Sequence, residues 1–429
     1  LELEYYPSQR YSTVTHQIAQ AIGSGLEQNK SLVKLSWSST RQEDDFLEEI
    51  LFGLCDHISL KTLDLEIRLT KSSSQALRSL LRFNGTLETL SLKQFEDQEN
   101  FPTMVSVLAG LAKNKGLKKV TFGTDLGKSN ATLATAWTSM LQRNTSITML
   151  DLRNNDGEET ADCNLCSALA EGLVSNSTLE TLYLPVISNP NLQVFRGPFH
   201  GPVWQEMLEN NRCLKKLCFQ NYGISLAGFE CLGRGLSRNT SLESLDLNCT
   251  RMTEPSLIAL VDGLRTNKTL KCLDLSNNCV LSQPGRTAIE RLIGYNGLRE
   301  LILAHTKESV GASILASSLA DNHSLEELDL ERAFVNGEGS ETFRALCESL
   351  RGNTTLRYLT IGYNDVRLNG VCATALELNT TSLVMLDLNS NNVTSCGIAA
   401  IAQGLQGPCS LKELSLDQCS LTDTGLLLL

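Results

Sequence analysis

The sequence predicts an α/β solenoid, a horseshoe with one parallel β-sheet on its concave face and α-helices on its convex face, about 14–15 repeats long. Three observations carry this. A motif of the form Asn-x-Ser/Thr-Leu-x-x-Leu-x-Leu recurs at intervals of 27 to 35 residues. Each copy joins a segment of apolar period two to one of period near 3.6, the signatures of a strand and a helix. No single copy can bury its own apolar face, so neighbours must stack into a continuous core. Helices are wider than the ~4.8 Å spacing of strands, so the stack curves with its strands inward.

The first Leu of the motif, or its Ile substitute, falls at 32, 60, 87, 117, 147, 179, 214, 242, 270, 298, 325, 356, 383 and 411, giving fourteen copies. Leu1-Glu-Leu3 reads as the strand of one earlier copy. In every copy Leu-x-Leu is a short strand with one buried face. A turn follows, with Asn155, Asn278, Asn364, Asn391 or Cys419 three residues after the last strand apolar residue. Such side chains satisfy buried backbone groups, and stacked copies make a ladder. A helix comes next: Leu257, Leu260, Val261 and Leu264 lie on one helical face, as do Ile398, Ile401, Ala402 and Leu405.

The helix stop repeats too. Asn29, Asn84, Asn114, Asn144, Asn176, Asn239, Asn267, Asn296, Asn322, Asn353 and Asn379 each lie three residues after the last buried helix residue. Asn tolerates the left-handed backbone that ends many helices, and that role is expected here. A Gly often precedes that last residue (Gly25, Gly110, Gly172, Gly235, Gly263, Gly404), which points to close helix–helix packing, since Gly otherwise costs ~1 kcal/mol in a helix.

This unit, exemplified by Asn239-Thr-Ser-Leu242-Glu-Ser-Leu245-Asp-Leu247, resembles the ~28-residue leucine-rich repeat of the ribonuclease-inhibitor type, also found in NOD-like receptors and Ran GTPase-activating protein. The resemblance covers essentially all of residues 1–429, read as a single repeat domain with an insertion at 185–204. It implies a non-catalytic protein–protein interaction scaffold, mostly cytoplasmic or nuclear. Two alternatives share it: a GTPase-activating regulator of the Ran-activating type, and the ligand-sensing repeat region of a multidomain receptor. The chain opens on a strand-like stretch and stops inside Leu426 to Leu429, without the polar outer face of a terminal repeat, so a longer parent array is expected.

Composition excludes other classes. The net charge is −11, against general phosphate-backbone binding. No apolar run approaches the ~18 residues of a membrane helix. His16, His57, His200, His305 and His323 are scattered, and no phosphate-cradling, nucleophile-elbow or zinc-protease motif occurs, so no catalytic residue is expected. No cofactor is expected either. Cys163-Asn-Leu-Cys166 lacks the second ligand pair of a zinc site, so no metal is expected. The fourteen Cys sit at scattered repeat positions, as free apolar thiols do in a reducing compartment. Twelve Asn-x-Ser/Thr sequons spell a glycosylated ectodomain if taken literally, but most are the helix-stop Asn followed by the next strand's Ser/Thr-Leu.

The partner is expected on the strand positions that face solvent. From Leu242 onward these lanes hold Asp246, Asp274, Glu300, Glu327, Asp329, Glu331, Asp387, Glu413 and Asp417, and no Lys or Arg. Earlier lanes hold three acids (Asp64, Glu66, Asp151) and five bases (Lys34, Lys93, Lys119, Arg153, Lys216). A one-signed concave surface focuses its field, so a protein with a basic surface is the expected partner. Asp in Leu-Asp-Leu is also plain repeat consensus, which argues the other way for the central lane. A second candidate is the insertion, where four Pro and several aromatics (Phe195, Phe199, His200 and Trp204 among the contact candidates) make a loop that must be packed or used.

Overall fold

The computed structural model describes residues 2–4, 12–38, 45–94, 101–123, 130–153, 163–185, 199–278, 282–306, 310–368, 382–406 and 409–420. The chain forms two compact units, Leu1–Asn221 and Tyr222–Leu429. Each is an α/β solenoid whose strands follow one another in the sheet in chain order.

Unit 1 runs β1 (Glu2–Glu4), α1 (Ser12–Gln28), β2 (Lys34–Ser38), α2 (Asp45–Gly53), β3 (Thr62–Ile67), α3 (Lys71–Phe83), β4 (Thr89–Gln94), α4 (Phe101–Leu111), β5 (Lys119–Phe122), α5 (Ala131–Arg143), β6 (Met149–Asp151), α6 (Cys163–Ser175), β7 (Thr181–Tyr183), α7 (Gly201–Asn210) and β8 (Lys216–Cys218). Strand β1 pairs parallel with β2, as the Leu1-Glu-Leu3 reading requires. Unit 2 runs α8 (Leu226–Arg238), β9 (Ser244–Asp246), α9 (Glu254–Leu264), β10 (Cys272–Asp274), α10 (Gln283–Ile293), β11 (Glu300–Ile302), α11 (Ala312–Ser318), β12 (Glu327–Asp329), α12 (Gly339–Leu350), β13 (Tyr358–Thr360), β14 (Arg367–Leu368), β15 (Met385–Asp387), β16 (Asn392–Val393), α13 (Ser395–Leu405) and β17 (Glu413–Ser415). Strands β14 and β16 make a small parallel pair of their own.

The motif leucines are the core. Of the fourteen first-Leu positions, twelve are buried, and Leu32 and Leu411 are half-buried. Truncating such a residue to Ala costs ~2–5 kcal/mol. Trp137 packs edge-on against Phe122 at 5.4 Å beneath the sheet of unit 1. Helix α7 begins at Gly201 with Pro202 in its first turn, where the missing N–H costs nothing. The end of the expected insertion is therefore helical, and Trp204 is fully buried.

The helix-stop asparagines do a different job from the one their position suggested. Asn84 has φ −72° and ψ 118°, and Asn144 φ −74° and ψ 133°, extended rather than left-handed. Each side chain instead bridges two repeats. Asn144 Oδ1 accepts the N–H groups of Ser146 (2.9 Å) and Ile147 (2.8 Å), while its Nδ2 donates to Leu111 O (2.7 Å) and Asn114 O (3.3 Å) of the repeat before. Asn84, Asn114, Asn176, Asn211, Asn267 and Asn353 make the same four-way connection. Left-handed residues occur after the strands instead, for example Cys249, Asn277, Tyr363 and Ser390. Asn379 and Asn155 lie outside the described residues, and Asn296 sits in an exposed turn where it accepts the His323 N–H at 2.6 Å.

The expected turn ladder is present in unit 2. Asn391 Nδ2 donates to Ile361 O and Leu388 O, both at 2.9 Å, and its Oδ1 accepts from Asn364 N and Val366 N. Asn278 and Asn364 repeat this, and Cys419 Sγ caps Leu388 O at 3.2 Å.

Tight helix packing explains Gly110 and Gly172. A Cβ on Gly110 would stand 3.1 Å from the Arg78 backbone of α3, and one on Gly172 would stand 2.7 Å from Leu141 Cβ of α5. A Cβ on Gly25, by contrast, would meet nothing within 4 Å, so close packing does not explain that position.

Candidate functional site

The solvent-facing lanes of unit 2 place carboxylates side by side. Parallel register sets Asp246 beside Asp274 and Glu300 beside Glu327 on adjacent strands. Strands lie ~4.8 Å apart, and like charges directly opposite are unfavourable. Burial raises the pKa of Asp274, and the charges of Asp246 and Glu300 push the same way against the hydrogen bonds from Ser276. Burial raises Asp329 as well, reinforced by Glu331 and Asp274. Glu327 is raised by burial, then by Glu300 and Asp329. The charge on this face is therefore held at a cost, which a cation placed against it would offset.

Each central-lane Asp also closes the turn after its strand. Asp246 accepts the Asn248 N–H (2.9 Å), Asp274 the Ser276 N–H (2.8 Å), Asp329 the Glu331 N–H (2.9 Å) and Asp387 the Asn389 N–H (2.8 Å). This is the physical content of the Leu-Asp-Leu consensus. An Asn Oδ1 can accept the same bond, so the backbone asks for an oxygen and not for a charge. Of the other expected contacts, Glu300 and Glu331 are half-buried, whereas Glu327, Glu413 and Asp417 are exposed. His305 Nε2 lies 3.3 Å from Glu331. Two aromatics on this face escaped the sequence reading: Tyr358, in register with Glu327, and Tyr363, whose ring lies 4.4 Å beneath the Arg332 guanidinium. Both are 41 % exposed, unusual for large side chains and typical of interface anchors. For Tyr358 the signal was an aromatic residue at a solvent-facing lane position, whereas Tyr363 sits in the turn just past the lanes.

Unit 1 handles the same backbone positions differently. Asp64 is bridged by Lys34 at 2.9 Å and by the Ser36 hydroxyl at 3.2 Å. Glu66 lies in register with Lys93. Asp151 is clamped by Arg153, whose Nη2 stands 2.8 Å from Oδ2, and that guanidinium also stacks 3.8 Å over Tyr183.

The insertion candidates separate. Phe195 lies outside the described residues. Phe199, Trp204 and Phe219 form one aromatic cluster, with centroids 4.9 to 6.2 Å apart, under the sheet of unit 1. Trp204 cannot reach a partner because its helix turns it inward, which corrects its assignment as a loop contact. His200 is exposed at the start of α7.

Other candidates resolve by burial. The sequon residues Asn84, Asn144, Asn176, Asn239, Asn267, Asn322 and Asn353 are buried, and both ends of most of these amides are bonded. Eleven described cysteines are free thiols, and burial pushes Cys55 up to about 11, so it stays protonated and unreactive. Among the described residues no group of three metal-ligating side chains occurs, and the Cys163 side chain lies outside them. His57 occupies a helix-stop position. Its Nδ1 accepts the Leu60 N–H at 3.1 Å as an Asn would, and burial lowers its pKa. No helix among the described residues is long and apolar enough to cross a membrane.

The family model described as Leucine Rich repeat matches residues 238–261, 266–289 and 407–429. The ribonuclease inhibitor of Sus scrofa is 29 % identical over 223 residues, covering 51 % of this chain and 48 % of that protein. The chain carries leucine-rich repeats and is similar to proteins of the ribonuclease-inhibitor type. Human NACHT, LRR and PYD domains-containing protein 5 is 28 % identical over 290 residues, 66 % of this chain and 23 % of that protein. Human NACHT, LRR and PYD domains-containing protein 12 is 29 % identical over 321 residues, 62 % of this chain and 29 % of that protein. The match thus spans about a quarter to a half of the length of these relatives.

Proposed function

We propose that this leucine-rich-repeat protein is a non-catalytic scaffold that binds a protein with a basic surface through the acidic strand face of unit 2. The observation that carries it is the run of raised carboxylates Asp274, Glu327 and Asp329, with no Lys or Arg in their lanes. A cationic side chain would relieve their mutual repulsion, and Tyr358 and Tyr363 would supply apolar contact area beside them. The rigid ladder means little ordering entropy is lost on binding. Free buried thiols support a reducing compartment, cytoplasm or nucleus.

The test is affinity capture from native lysate, read by mass spectrometry. Wild type is compared with the variant Asp246→Asn, Asp274→Asn, Asp329→Asn, Asp387→Asn, which keeps an acceptor oxygen at every turn. A basic protein captured by wild type and lost by the variant is expected. The same proteins on both would sink the acidic-face reading.

A second reading is favoured by the share of relatives covered, 23 % of human NACHT, LRR and PYD domains-containing protein 5: the chain serves as the ligand-sensing repeat region of a multidomain receptor. Reading the coding sequence on either side decides this, and an absent nucleotide-binding domain removes it.

A further inference from the structure

The helix layer of unit 1 carries a feature unrelated to the strand face. Helices α3, α4 and α5 contain no Asp or Glu. Between α4 and α5 runs an open groove of about 390 Å³. Its apolar lining is Val105 and Ala109 from α4, Ala112 just past the end of α4, and Ala136 and Met140 from α5, with the Thr135 and Ser139 side chains beside them, and Arg78, Lys113 and Arg143 also line it. All three cations are exposed, and none makes an ion pair among the described residues.

The groove has a mechanical origin. Gly110 lets α4 close onto α3, and Gly172 lets α6 close onto α5. Helices α4 and α5 meet less closely than either of those pairs, and their facing alanines leave a gap. Lys113 and Arg143 stand at helix C-terminal ends, where carbonyl dipoles favour cations. That accounts for their position, and among the described residues no carboxylate compensates their charge. The comparable groove between α10 and α11 differs: Glu290 and Asp321 accompany Arg291 there, and Glu290 binds the Ser317 hydroxyl at 2.6 Å.

We infer that the α4–α5 groove of unit 1 is a docking site for an acidic amphipathic helix of a partner protein. Its apolar floor is recessed, so the occupant must project side chains into it, as a helix does with residues at i, i+3, i+4 and i+7. A flat anionic membrane surface would leave that floor untouched. The volume accommodates a few large aliphatic side chains, and the cations flank the floor where acidic residues on the same helix would lie.

The experiment displays a library of helical peptides of ~20 residues, a length that forms a marginal helix unaided. It is panned against the full chain. Enriched peptides are then titrated by fluorescence anisotropy against wild type, Lys113→Glu/Arg143→Glu, Ala136→Trp and the milder Ala109→Leu, with thermal melts confirming that each variant folds. Expected are sequences with apolar residues at helical spacing flanked by Asp and Glu, at least about tenfold weaker on the charge-reversed and groove-filled variants. No enrichment, enrichment without that pattern, or affinity unchanged by the filled groove overturns the proposal. So does sedimentation with phosphatidylserine vesicles that the same variants abolish while no peptide binds.

Discussion

In unit 1, Asp64 lies 2.9 Å from Lys34 and Asp151 is clamped by Arg153; in unit 2, Asp274 and Asp329 occupy the equivalent strand position with no Lys or Arg in their lanes. The backbone job is shared, since Asp151 and Asp274 both accept the N–H two residues on. What differs is whether the charge serves the fold. In unit 1 it is absorbed internally, whereas in unit 2 it is left at the surface for something else to meet. A repeat consensus can therefore be structural in its oxygen and functional in its charge.

The largest expected effect tests what both units have in common. Asn144→Ala strips four hydrogen bonds from the helix-stop row, and should destabilise the protein by about 4 kcal/mol. Asn391→Ala does the same to the turn row of unit 2, at about 3 kcal/mol. Urea melts read both, and a loss below 1 kcal/mol for either would mean that row is decoration. The next test separates the units. Asp151→Asn breaks a partly buried ion pair and should cost about 2 kcal/mol. Asp274→Asn keeps its turn bond and loses only repulsion, so it should be neutral or stabilising. Equal costs at both sites would erase the contrast.

Much of this was legible beforehand, because leucines spaced in register can only mean a strand facing a core, and the acids of unit 2 occupy the positions between them. The asparagines were placed but misread. Sequence shows where a helix stops, but not that the amide at Asn144 reaches the carbonyl of a residue thirty positions earlier. Pro202 looked like loop chemistry, yet the first helical turn tolerates it, which hid Trp204 in the core. His57 stood in for Asn without any spacing signal to say so.

Acidification should move the two units in opposite directions. Asp274, Glu327 and Asp329 have raised pKa values in the fold, so their stabilising contribution is full below the ordinary carboxylate range and is lost as pH rises through the raised values. Lowering pH towards the ordinary carboxylate range should therefore stabilise unit 2, modestly because the groups are partly exposed. His57 has a lowered pKa, so its contribution is present above the ordinary value of 6.5 and is lost as pH falls below it. Hydrogen exchange resolved by unit distinguishes these, and parallel shifts would contradict the assignment. The smallest effect is His57→Asn, which should flatten the acid-side slope of unit 1 and add about 0.5 kcal/mol. An unchanged slope would place the proton elsewhere.

The bridging amides also constrain how the chain can be made. Five of them, Asn84, Asn144, Asn176, Asn267 and Asn353, sit in Asn-x-Ser/Thr sequences that oligosaccharyltransferase reads on an unfolded chain. A sugar joined to Asn144 replaces an amide hydrogen and puts a large polar group where the next repeat must seat. Synthesis into a secretory lumen would thus spoil the rungs before they could form. Routing alone, with no change of residue, would decide whether this solenoid assembles, and a signal sequence fused to it should yield glycosylated, aggregated chains where the untargeted chain folds.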